Sequence, residues 1–356
     1  MKTKLFVLAL LCFSFIHAQK KLKIAVVGLT HDHAHNIMNE YRRGEVSLVG
    51  IVETNPELIA RYQKRYAFPT SIIFASTEAL LNNVTPDAIM AYNAISEHID
   101  VARACIPKKI PLMVEKPLAV NLAQAKEMQQ LSTTYTTPIL TNYETTWYGS
   151  NQTLHSLVKE KAFGGIKKMI ARDGHEGPKE IGCSSEFLSW LTDPAKNGGG
   201  AIIDFGCYGA NLMTWLQNGM RPIAVTAVTR QLKPDVYPKV DDDATIIIEY
   251  PHATGVIQAS WDWSYSIKSL QVFGVKSSYH AINGNTLTLS SASDKEKSIS
   301  IEEHYTNHLS YLSDVLEGKI DPKNDLSSLE NNVIVVEILE AAKTSAQTGK
   351  KVVLPQ

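Results

Sequence analysis

The sequence predicts an α/β protein of two domains, the first built on a parallel sheet and the second on a large, open and mostly antiparallel sheet. The chain has 356 residues, enough for two domains that each bury a core. In residues 20–144, short apolar strands alternate with helical stretches, as in parallel sheets with right-handed crossovers. In residues 145–356, strands follow one another with turns between them, as in antiparallel sheets.

The strands of the first domain are short apolar runs. "KIAVVG" begins the series at residue 23 and leads into a helical stretch through Arg43. Further strands are predicted at 46–53, 86–92, 111–117 and 138–144, with helices through Tyr66, around 97–105 and over 121–134. This alternation predicts a Rossmann domain, in which ligands bind at the carboxyl ends of the strands.

The second domain is predicted from a series of longer strands. They include "GGIKKMIARDGH", "PIAVTAVTRQL", "DDATIIIEYPHATGVIQASWDW" and "TLTLSS". Helices such as Ala210–Gln217 are expected on one face of this sheet. A terminal helix, Leu326 to Gln347, is expected to pack either there or back on the first domain.

The first residues of the chain differ from the rest. Lys2 and Lys4 precede an apolar run of about a dozen residues, and Ala18 is a small residue before Gln19. Residues 1–18 are therefore predicted to be a Sec-type signal peptide that directs the protein to the periplasm or outside the cell, and no membrane span is expected. A net charge of −1 without a long basic run argues against a nucleic-acid partner.

The turn after the first strand carries candidate cofactor ligands. Gly28 stands where a dinucleotide-binding turn begins, and Glu53, at the end of the next strand, can accept hydrogen bonds from a ribose diol. Thr30 and His33 stand where the G-x-G-x-x-G pattern has its second and third glycines, and a neutral His31 or His33 can donate to a phosphate. Because the Glu53 carboxylate would repel a 2′-phosphate, NAD is favoured over NADP.

The same turn also suits a metal ion. His31, His33 and His35 lie within five residues, and His31 and His35 would share one face of a helix, as zinc ligands can. A further ligand would have to come from elsewhere, with His98 and His175 as candidates. A dinucleotide without a metal is the favoured expectation, and a divalent metal at these histidines is the alternative.

Two other segments carry groups that suit alcohol chemistry. "EKP" follows an apolar run, so Glu115 and Lys116 are expected at the ligand-binding edge of the sheet. A lysine there can hold a sugar hydroxyl and lower the pKa of a neighbouring acid. In "NGGGAIIDFGCYGANLMTWL", Asp204 and Tyr208 lie four residues apart, on one face if the segment is helical, where a carboxylate and a phenol can orient a diol.

Four motifs occur in order along residues 22–355: "KIAVVGL", "EKPL", "GGGAIIDFGCYGANLMTWL" and "VVEILEAAKTSAQTGKKVVLP". In these motifs the chain resembles the Gfo/Idh/MocA family, and with Tyr in the D-x-x-x-H/Y pair it resembles the glucose–fructose oxidoreductase-like branch. The resemblance implies a Rossmann domain, a C-terminal α/β domain with an open antiparallel sheet, and tightly held NAD or NADP. It also implies a carbohydrate or cyclitol substrate and a homodimer or homotetramer formed through the open sheet.

The resemblance assigns the catalytic roles to Lys116, Asp204 and Tyr208. Lys116 matches the lysine of the E-K-P signature, which is expected near the nicotinamide and the reacting hydroxyl. A free phenol has a pKa of about 10, so Tyr208 needs help to act as a base. The Lys116 ammonium would lower the pKa of Tyr208 by stabilising phenolate, while Asp204 orients the substrate.

The cofactor-binding candidates come from three strand ends. Glu53 matches the ribose-binding acid of the family, and "YNAISEH" matches the strand end beside the cofactor, with Ala94 and Ile95 in place of the usual Pro and Asn. The full set is Gly28, Thr30, His31, His33, Glu53, Asn93, His98 and Glu115. Weaker candidates for substrate contact are Trp147, Tyr148 and His175, the two aromatics because they could stack on a sugar face.

The favoured function is therefore an exported oxidoreductase that transfers a hydride between a sugar or cyclitol hydroxyl and tightly bound NAD(P). One alternative is a glycosidase or lyase on the same scaffold, acting through transient oxidation or through a metal at the histidine cluster. A further alternative is a non-catalytic sugar-binding protein.

Overall fold

The protein is described by a computed structural model over residues 21–302, 304–323 and 325–355, so the predicted signal peptide lies outside the described residues. These residues form one parallel and one mostly antiparallel sheet, each covered by helices. The predicted fold class is confirmed. No helix in the described part of the chain is long and apolar enough to cross a membrane.

The first sheet has six parallel strands in the order β3-β2-β1-β4-β5-β6, the strand order of a Rossmann domain. The strands are β1 (Lys23–Val27), β2 (Ser47–Val52), β3 (Ile73–Phe74), β4 (Ala88–Ala91), β5 (Leu112–Glu115) and β6 (Ile139–Asn142). The helices are α1 (Ala34–Arg43), α2 (Pro56–Tyr66), α3 (Thr77–Asn83), α4 (His98–Cys105) and α5 (Leu122–Tyr135). Strand β3 and helix α3 were not predicted, since two and seven residues are too few to show a hydrophobic period.

The second sheet has nine strands in the order β14-β13-β12-β11-β7-β10-β9-β8-β15. Only β7 and β10 pair in parallel; the other neighbours are antiparallel. The strands are β7 (Ile166–Gly174), β8 (Ala224–Arg230), β9 (Asp243–Glu249), β10 (Thr254–Ser260), β11 (Ile267–Gly274), β12 (Ser277–Asn283), β13 (Thr286–Ser291), β14 (Lys297–Ile299) and β15 (Val352–Val353).

The helices of the second half of the chain serve both sheets. They are α6 (Gly149–Lys159), α7 (Ser185–Leu191), α8 (Pro194–Asn197), α9 (Ala201–Asp204), α10 (Gly206–Leu216), α11 (His308–Leu316) and α12 (Leu329–Thr348). Helix α10 packs against β7 and β10 in the core of the second domain. The helices α11 and α12 also complete the first domain, because Tyr311 and Leu312 join the apolar cluster on one face of its sheet and Val333 and Val336 join the cluster on the other.

The segment that carries Asp204 and Tyr208 is two helices rather than one. Helix α9 ends at Asp204 and α10 begins at Gly206. The amide groups of Gly200 and Ile202 donate to the carboxylate of Asp241, which fixes the start of α9. A Cβ at Gly200 would lie 1.8 Å from the Asp241 carbonyl oxygen, so only glycine permits this approach.

Candidate active site

The first group of site residues lies where β5 ends against α9. Lys116 donates from Nζ to Oδ1 of Asp204 and, at 3.1 Å, to the main-chain oxygen of the same residue. The other carboxylate oxygen of Asp204 accepts a 2.9 Å hydrogen bond from Nε1 of Trp261. The Lys116 and Asp204 side chains are 7% and 8% exposed. Two residues predicted from separate motifs thus form one buried ion pair at the carboxyl edge of the first sheet.

The charges of this pair stabilise each other. Burial alone would raise the pKa of Asp204, but the charge of Lys116 and its hydrogen bond hold that pKa below its usual value. Burial alone would lower the pKa of Lys116, and Asp204 reverses that effect so that the pKa is raised. The pair therefore remains a carboxylate and an ammonium around neutral pH.

Tyr208 lies between two ammonium groups but stays a neutral phenol. Its ring centroid is 5.0 Å from Nζ of Lys116 and 4.9 Å from Nζ of Lys268. Burial, followed by the charge of Glu144, raises the pKa of Tyr208 well above its usual value. The prediction that Lys116 lowers the pKa of Tyr208 is therefore wrong, because the Lys116 ammonium bonds to Asp204 and faces the tyrosine ring.

A second set of charges lines the neighbouring part of the cleft. Nζ of Lys268 pairs with Glu144, whose other oxygen accepts a 2.6 Å hydrogen bond from the Tyr148 hydroxyl. Asp173 lies close by, is 1% exposed, and its Oδ2 has no hydrogen-bond partner in the described part of the chain. Burial raises the pKa of Asp173 to about 8, against the opposing charge of Lys268. This carboxyl group is therefore largely protonated at neutral pH.

The predicted substrate residues differ in what they offer. His175 stacks edge-on against Phe205, with ring centroids 4.9 Å apart, and lies near Asp204. Tyr148 has its ring against Gly284 and its hydroxyl on Glu144. Trp147 packs near Tyr311, with 5.4 Å between ring centroids.

Several main-chain donors of the turn after β1 are bonded within the protein. The N–H groups of Leu29, His31 and His33 donate to the Glu53 carboxylate, the Tyr92 carbonyl and Nδ1 of His31, respectively. Gly28 has a φ of +80°, and a Cβ there would lie 2.7 Å from the Cβ of Asn93, so a glycine is required. Thr30 is half-buried on the same turn.

Glu115 connects this turn to the edge of the first sheet that carries Lys116 and its partner Asp204, here called the lysine edge. Its Oε2 lies 2.9 Å from Nδ1 of His33 and 4.0 Å from Nε2 of His31, and its Oε1 accepts a 2.9 Å hydrogen bond from the Asn142 amide. Burial alone would raise the pKa of Glu115, but the nearby His33 and His31 hold it well below its usual range. The amide of Asn142 is itself fixed, since its oxygen accepts a 3.1 Å hydrogen bond from Nε1 of Trp147.

Two predicted histidines lie away from this cluster. His35 stacks on Tyr62 at 4.7 Å and hydrogen-bonds to the Tyr66 hydroxyl at 2.7 Å, so the structure does not place it with His31 and His33. His98 is fully buried and its Nδ1 lies 3.1 Å from the Leu118 carbonyl oxygen. Burial lowers the pKa of His98 to about 4, so this imidazole is neutral.

The turn is covered by residues 184–191, here called the cover segment. The Ser184 N–H donates to Oδ2 of Asp32 at 2.9 Å, and the ring of Phe187 packs on His31 with centroids 4.4 Å apart. Arg61 of α2 forms a 2.8 Å ion pair with Glu186. Beneath the cover segment remains a cavity of about 240 Å³, which the turn, α2 and residues 184–186 line. The second domain thus reaches over the cofactor turn of the first.

The residues present suit the two ends of a nicotinamide dinucleotide. Glu53 accepts N–H groups from Leu29, Thr54 and Asn55, which leaves about one of the roughly four acceptor sites of a carboxylate for a ribose hydroxyl. At the other end, Lys116 has three donors, two of them directed at Asp204. The cavity beneath the cover segment, about 240 Å³, is smaller than the roughly 300–1,000 Å³ of ligand pockets.

The sequence-based predictions missed several residues of this site. Glu144 is the last residue of the predicted strand "PILTNYE", so the strand-end rule that selected Glu115 could also have selected it. Asp173, Trp261 and the cover segment reach the site from the second domain, and no local pattern indicates that placement. The pairing of Lys268 with Glu144 joins residues 124 positions apart and carries no sequence signal.

Comparisons with known proteins agree with this architecture. Residues 22–143 match the model of the oxidoreductase family with an NAD-binding Rossmann fold, and residues 151–280 match the GFO/IDH/MocA C-terminal domain. The trans-1,2-dihydrobenzene-1,2-diol dehydrogenase of Xenopus tropicalis is 26% identical over 203 residues, 57% of each chain. The enzyme of the same name from Bos taurus is 23% identical over 258 residues, 71% of each chain. The chain thus spans a little over half the length of the first of these relatives.

Solved structures show the same fold. An aldose-aldose oxidoreductase from Caulobacter crescentus, complexed with glycerol, has a TM-score of 0.79 and 20% identity, covering 94% of this chain and 100% of the other. An inositol dehydrogenase homolog from Azotobacter vinelandii, complexed with NAD⁺, has a TM-score of 0.79 and 14% identity, covering 94% and 98%. With both domain models matched, the chain belongs to the Gfo/Idh/MocA family of oxidoreductases, with an NAD-binding Rossmann domain and dehydrogenase homologues that act on diols and sugars.

Proposed function

We propose that the protein is an exported oxidoreductase that oxidises or reduces one carbon of a sugar or cyclitol with tightly held NAD. The observation that carries the proposal is the buried ion pair of Lys116 and Asp204, at the sheet edge where a Rossmann domain binds the reacting end of its ligand. Bound NAD would supply the hydride acceptor or donor.

The free positions on the ion pair define a place for one hydroxyl group. Two donors of Lys116 are directed at Asp204, which leaves the third for a substrate oxygen. The carboxylate of Asp204 accepts from Lys116 and Trp261 and retains lone pairs for the hydroxyl proton. During oxidation, Asp204 would take the hydroxyl proton while Lys116 stabilises the negative charge that develops on the oxygen.

The surrounding groups favour a polyhydroxylated substrate. Glu144, Lys268 and Tyr148 form a charged, hydrogen-bonding wall beside the pair. Half of the Glu144 side chain is exposed, so its oxygens are accessible to further hydroxyl groups of a ring. A sugar or cyclitol offers hydroxyls at several positions and would use both the pair and this wall.

The NAD preference is proposed from Glu53, whose carboxylate would repel the 2′-phosphate of NADP. Tight retention is proposed from the cover segment, which bonds to Asp32 and Arg61 across the domain boundary. Export follows from the predicted signal peptide in residues 1–18 and would require such retention, since free nucleotide is scarce outside the cytoplasm.

The proposal is tested by the nucleotide content of the natively purified protein. The protein is denatured, the supernatant is assayed for NAD(H) and NADP(H), and the native protein is offered sugars and cyclitols while the absorbance of reduced nicotinamide is followed. About one NAD(H) per chain and a substrate-dependent change are expected. A protein without nucleotide that also fails to take up added NAD would refute the proposal, and cleavage of a glycoside without net reduction would establish the transient-oxidation alternative.

A homo-oligomer through the open sheet is also proposed. Val228 on β8 and Ile247 on β9 are 60% and 39% exposed on the face of the second sheet that the helices leave uncovered. Exposed apolar side chains on a flat sheet are typical of subunit interfaces. Light scattering of the purified protein should give a dimeric or tetrameric mass, and a monomeric mass at micromolar concentration would contradict this.

A further inference from the structure

Three potential metal ligands from separate parts of the first domain converge beside the proposed reaction centre. His31 and His33 come from the turn after β1, and Glu115 is the last residue of β5. Nδ1 of His33 is 2.9 Å from Oε2 of Glu115, Nε2 of His31 is 4.0 Å from the same oxygen, and all three ligand atoms lie within 4.8 Å of one another.

We propose that His31, His33 and Glu115 bind a divalent transition-metal ion such as Zn²⁺. Two imidazoles and one carboxylate are a ligand set that holds catalytic zinc and leaves at least one coordination position open. The inference does not rest on the proposed redox function. It also differs from the histidine-only site expected from the sequence, because the third ligand is Glu115 and not His35.

The geometry needs only a local adjustment to close around an ion. Metal–ligand distances of about 2.0–2.2 Å place neighbouring ligand atoms roughly 3 Å apart, as His33 and Glu115 already are. His31 must approach by about 1 Å, and the ligating nitrogens, Nε2 of His31 and Nδ1 of His33, must both be free of a proton, so the Nδ1 proton that now faces Glu115 must leave. Nδ1 of His31 now accepts the His33 N–H at 3.0 Å, so metal binding moves the proton to Nδ1 and turns that amide away.

Neighbouring side chains hold Glu115 and His31 in place, as is usual for metal ligands. The second oxygen of Glu115 is held by the Asn142 amide, and Asn142 is held by the indole of Trp147. Phe187 and Trp190 pack against the His31 ring, with centroids 4.4 and 5.5 Å away, and exclude water from that side. Such outer partners fix the orientation of ligands and strengthen metal binding.

One side of the cluster remains accessible. The His33 side chain is 37% exposed, whereas Glu115 is 2% exposed, so an ion can enter past His33. Because His31 lies near enough to Lys116 and Asp204 to feel the charges of both, the open coordination position would lie close to the hydroxyl site at the Lys116–Asp204 pair. A metal there would polarise a substrate oxygen as a Lewis acid.

The test is Zn²⁺ binding by the full protein after chelator treatment, followed by isothermal titration calorimetry and by the absorption spectrum of the Co²⁺-substituted protein. Wild type should bind one Zn²⁺ per chain, with Co²⁺ bands typical of nitrogen and oxygen ligands. His33→Ala and Glu115→Gln should each weaken Zn²⁺ binding by about 100-fold or more. His35→Ala, in the first turn of α1 and bonded to Tyr66, should leave the affinity unchanged.

The inference would be overturned by the absence of Zn²⁺ binding in wild type, or by binding that survives unchanged in both His33→Ala and Glu115→Gln. Loss of binding in His35→Ala equal to that in His33→Ala would also overturn it, because the ion would then sit elsewhere on the turn. Thermal melting without metal monitors the fold of each variant. If Glu115→Gln does not fold, Zn²⁺ binding by His33→Ala alone decides the outcome, because the His33 side chain is partly exposed and its loss should be tolerated by the fold.

Discussion

The lysine edge and the turn after β1 lie side by side at the carboxyl end of the first sheet, yet they use their polar groups differently. At the edge, Lys116 and Asp204 bond to each other and still keep a donor and lone pairs for a ligand. At the turn, the N–H groups of Leu29, His31 and His33 are all bonded within the protein. The edge therefore keeps free positions for a ligand, whereas the turn uses these three donors within the fold.

The two regions thus differ in whether their polar groups are available to a ligand or are used within the fold. A phosphate cradle depends on free main-chain donors and on glycines that let the phosphates approach. Here imidazole and carboxylate side chains replace those features, and the cover segment packs over them. The predictions below separate the two regions, beginning with the largest expected effect.

Removal of the Lys116 side chain should have the largest effect on the lysine edge. Lys116→Met leaves Asp204 with only the Trp261 hydrogen bond, so the free energy of unfolding should fall by about 3–5 kcal/mol and turnover by about 10²–10⁴-fold. Denaturant unfolding and turnover with the identified substrate measure both. Lys126→Met, on the exposed face of α5, is the control.

The double variant Lys116→Met/Asp204→Asn separates stability from catalysis. It removes the buried charge that the single variant leaves without its partner, so stability should recover in large part while turnover stays low. Turnover within tenfold of wild type in Lys116→Met would show that the reaction does not occur at this edge.

Asp173 provides a pH-dependent test of the second-domain side of the edge. Its pKa of about 8 in the folded protein exceeds the ordinary value of 3.8, so the folded state binds more protons than the unfolded state between these values. This carboxyl group should therefore reduce the free energy of unfolding by about 1.4 kcal/mol per unit as pH rises from about 4 to 8, with no further change above 8.

Asp173→Asn should remove this slope and be more stable than wild type at pH 8, as measured by urea unfolding at pH 6 and 8. Asp235→Asn, at an exposed position, is the matched control and should keep the wild-type slope. Equal slopes for wild type and Asp173→Asn would show that Asp173 is ionised in the folded protein.

A change at Glu53 tests whether the turn binds a nucleotide. Glu53→Gln removes the charge that would repel a 2′-phosphate but keeps an oxygen for the Leu29 N–H. The preference for NAD over NADP should fall by about tenfold, measured as the ratio of the two dissociation constants. Glu57→Gln, on the exposed first turn of α2, should leave the ratio unchanged. An unchanged ratio in Glu53→Gln would place the ribose elsewhere.

Much of the fold was predictable from the sequence because it follows from local hydrophobic patterns. The two sheets and the placement of Glu115, Lys116 and Glu53 at strand ends all depend on short runs of residues. The strand β3 was missed because two residues show no period. The start of α9 could not be predicted because it depends on Asp241, which is distant in sequence.

The site was predictable only as separate pieces. Lys116 and Asp204 were selected for their chemistry, but their direct pairing across 88 positions depends on how the domains pack. The same holds for Glu115 with His33, 82 positions apart, which turned an expected histidine cluster into a mixed one. The neutral state of Tyr208 could not be predicted because burial, which dominates its pKa, is a property of the assembled core.

The smallest effect concerns the cover segment. The ion pair of Arg61 with Glu186 is 2.8 Å long, but the Arg61 side chain is 54% exposed, so it contributes at most about 1 kcal/mol. Arg61→Met should therefore speed the release of bound NADH, followed by fluorescence, by no more than about fivefold. Added salt should speed release from wild type but not from the variant, because it screens the same exposed charges. Lys64→Met, also exposed on α2, should release NADH at the wild-type rate. If Arg61→Met also releases NADH at the wild-type rate, the cover segment does not limit nucleotide release, and retention depends on the turn itself.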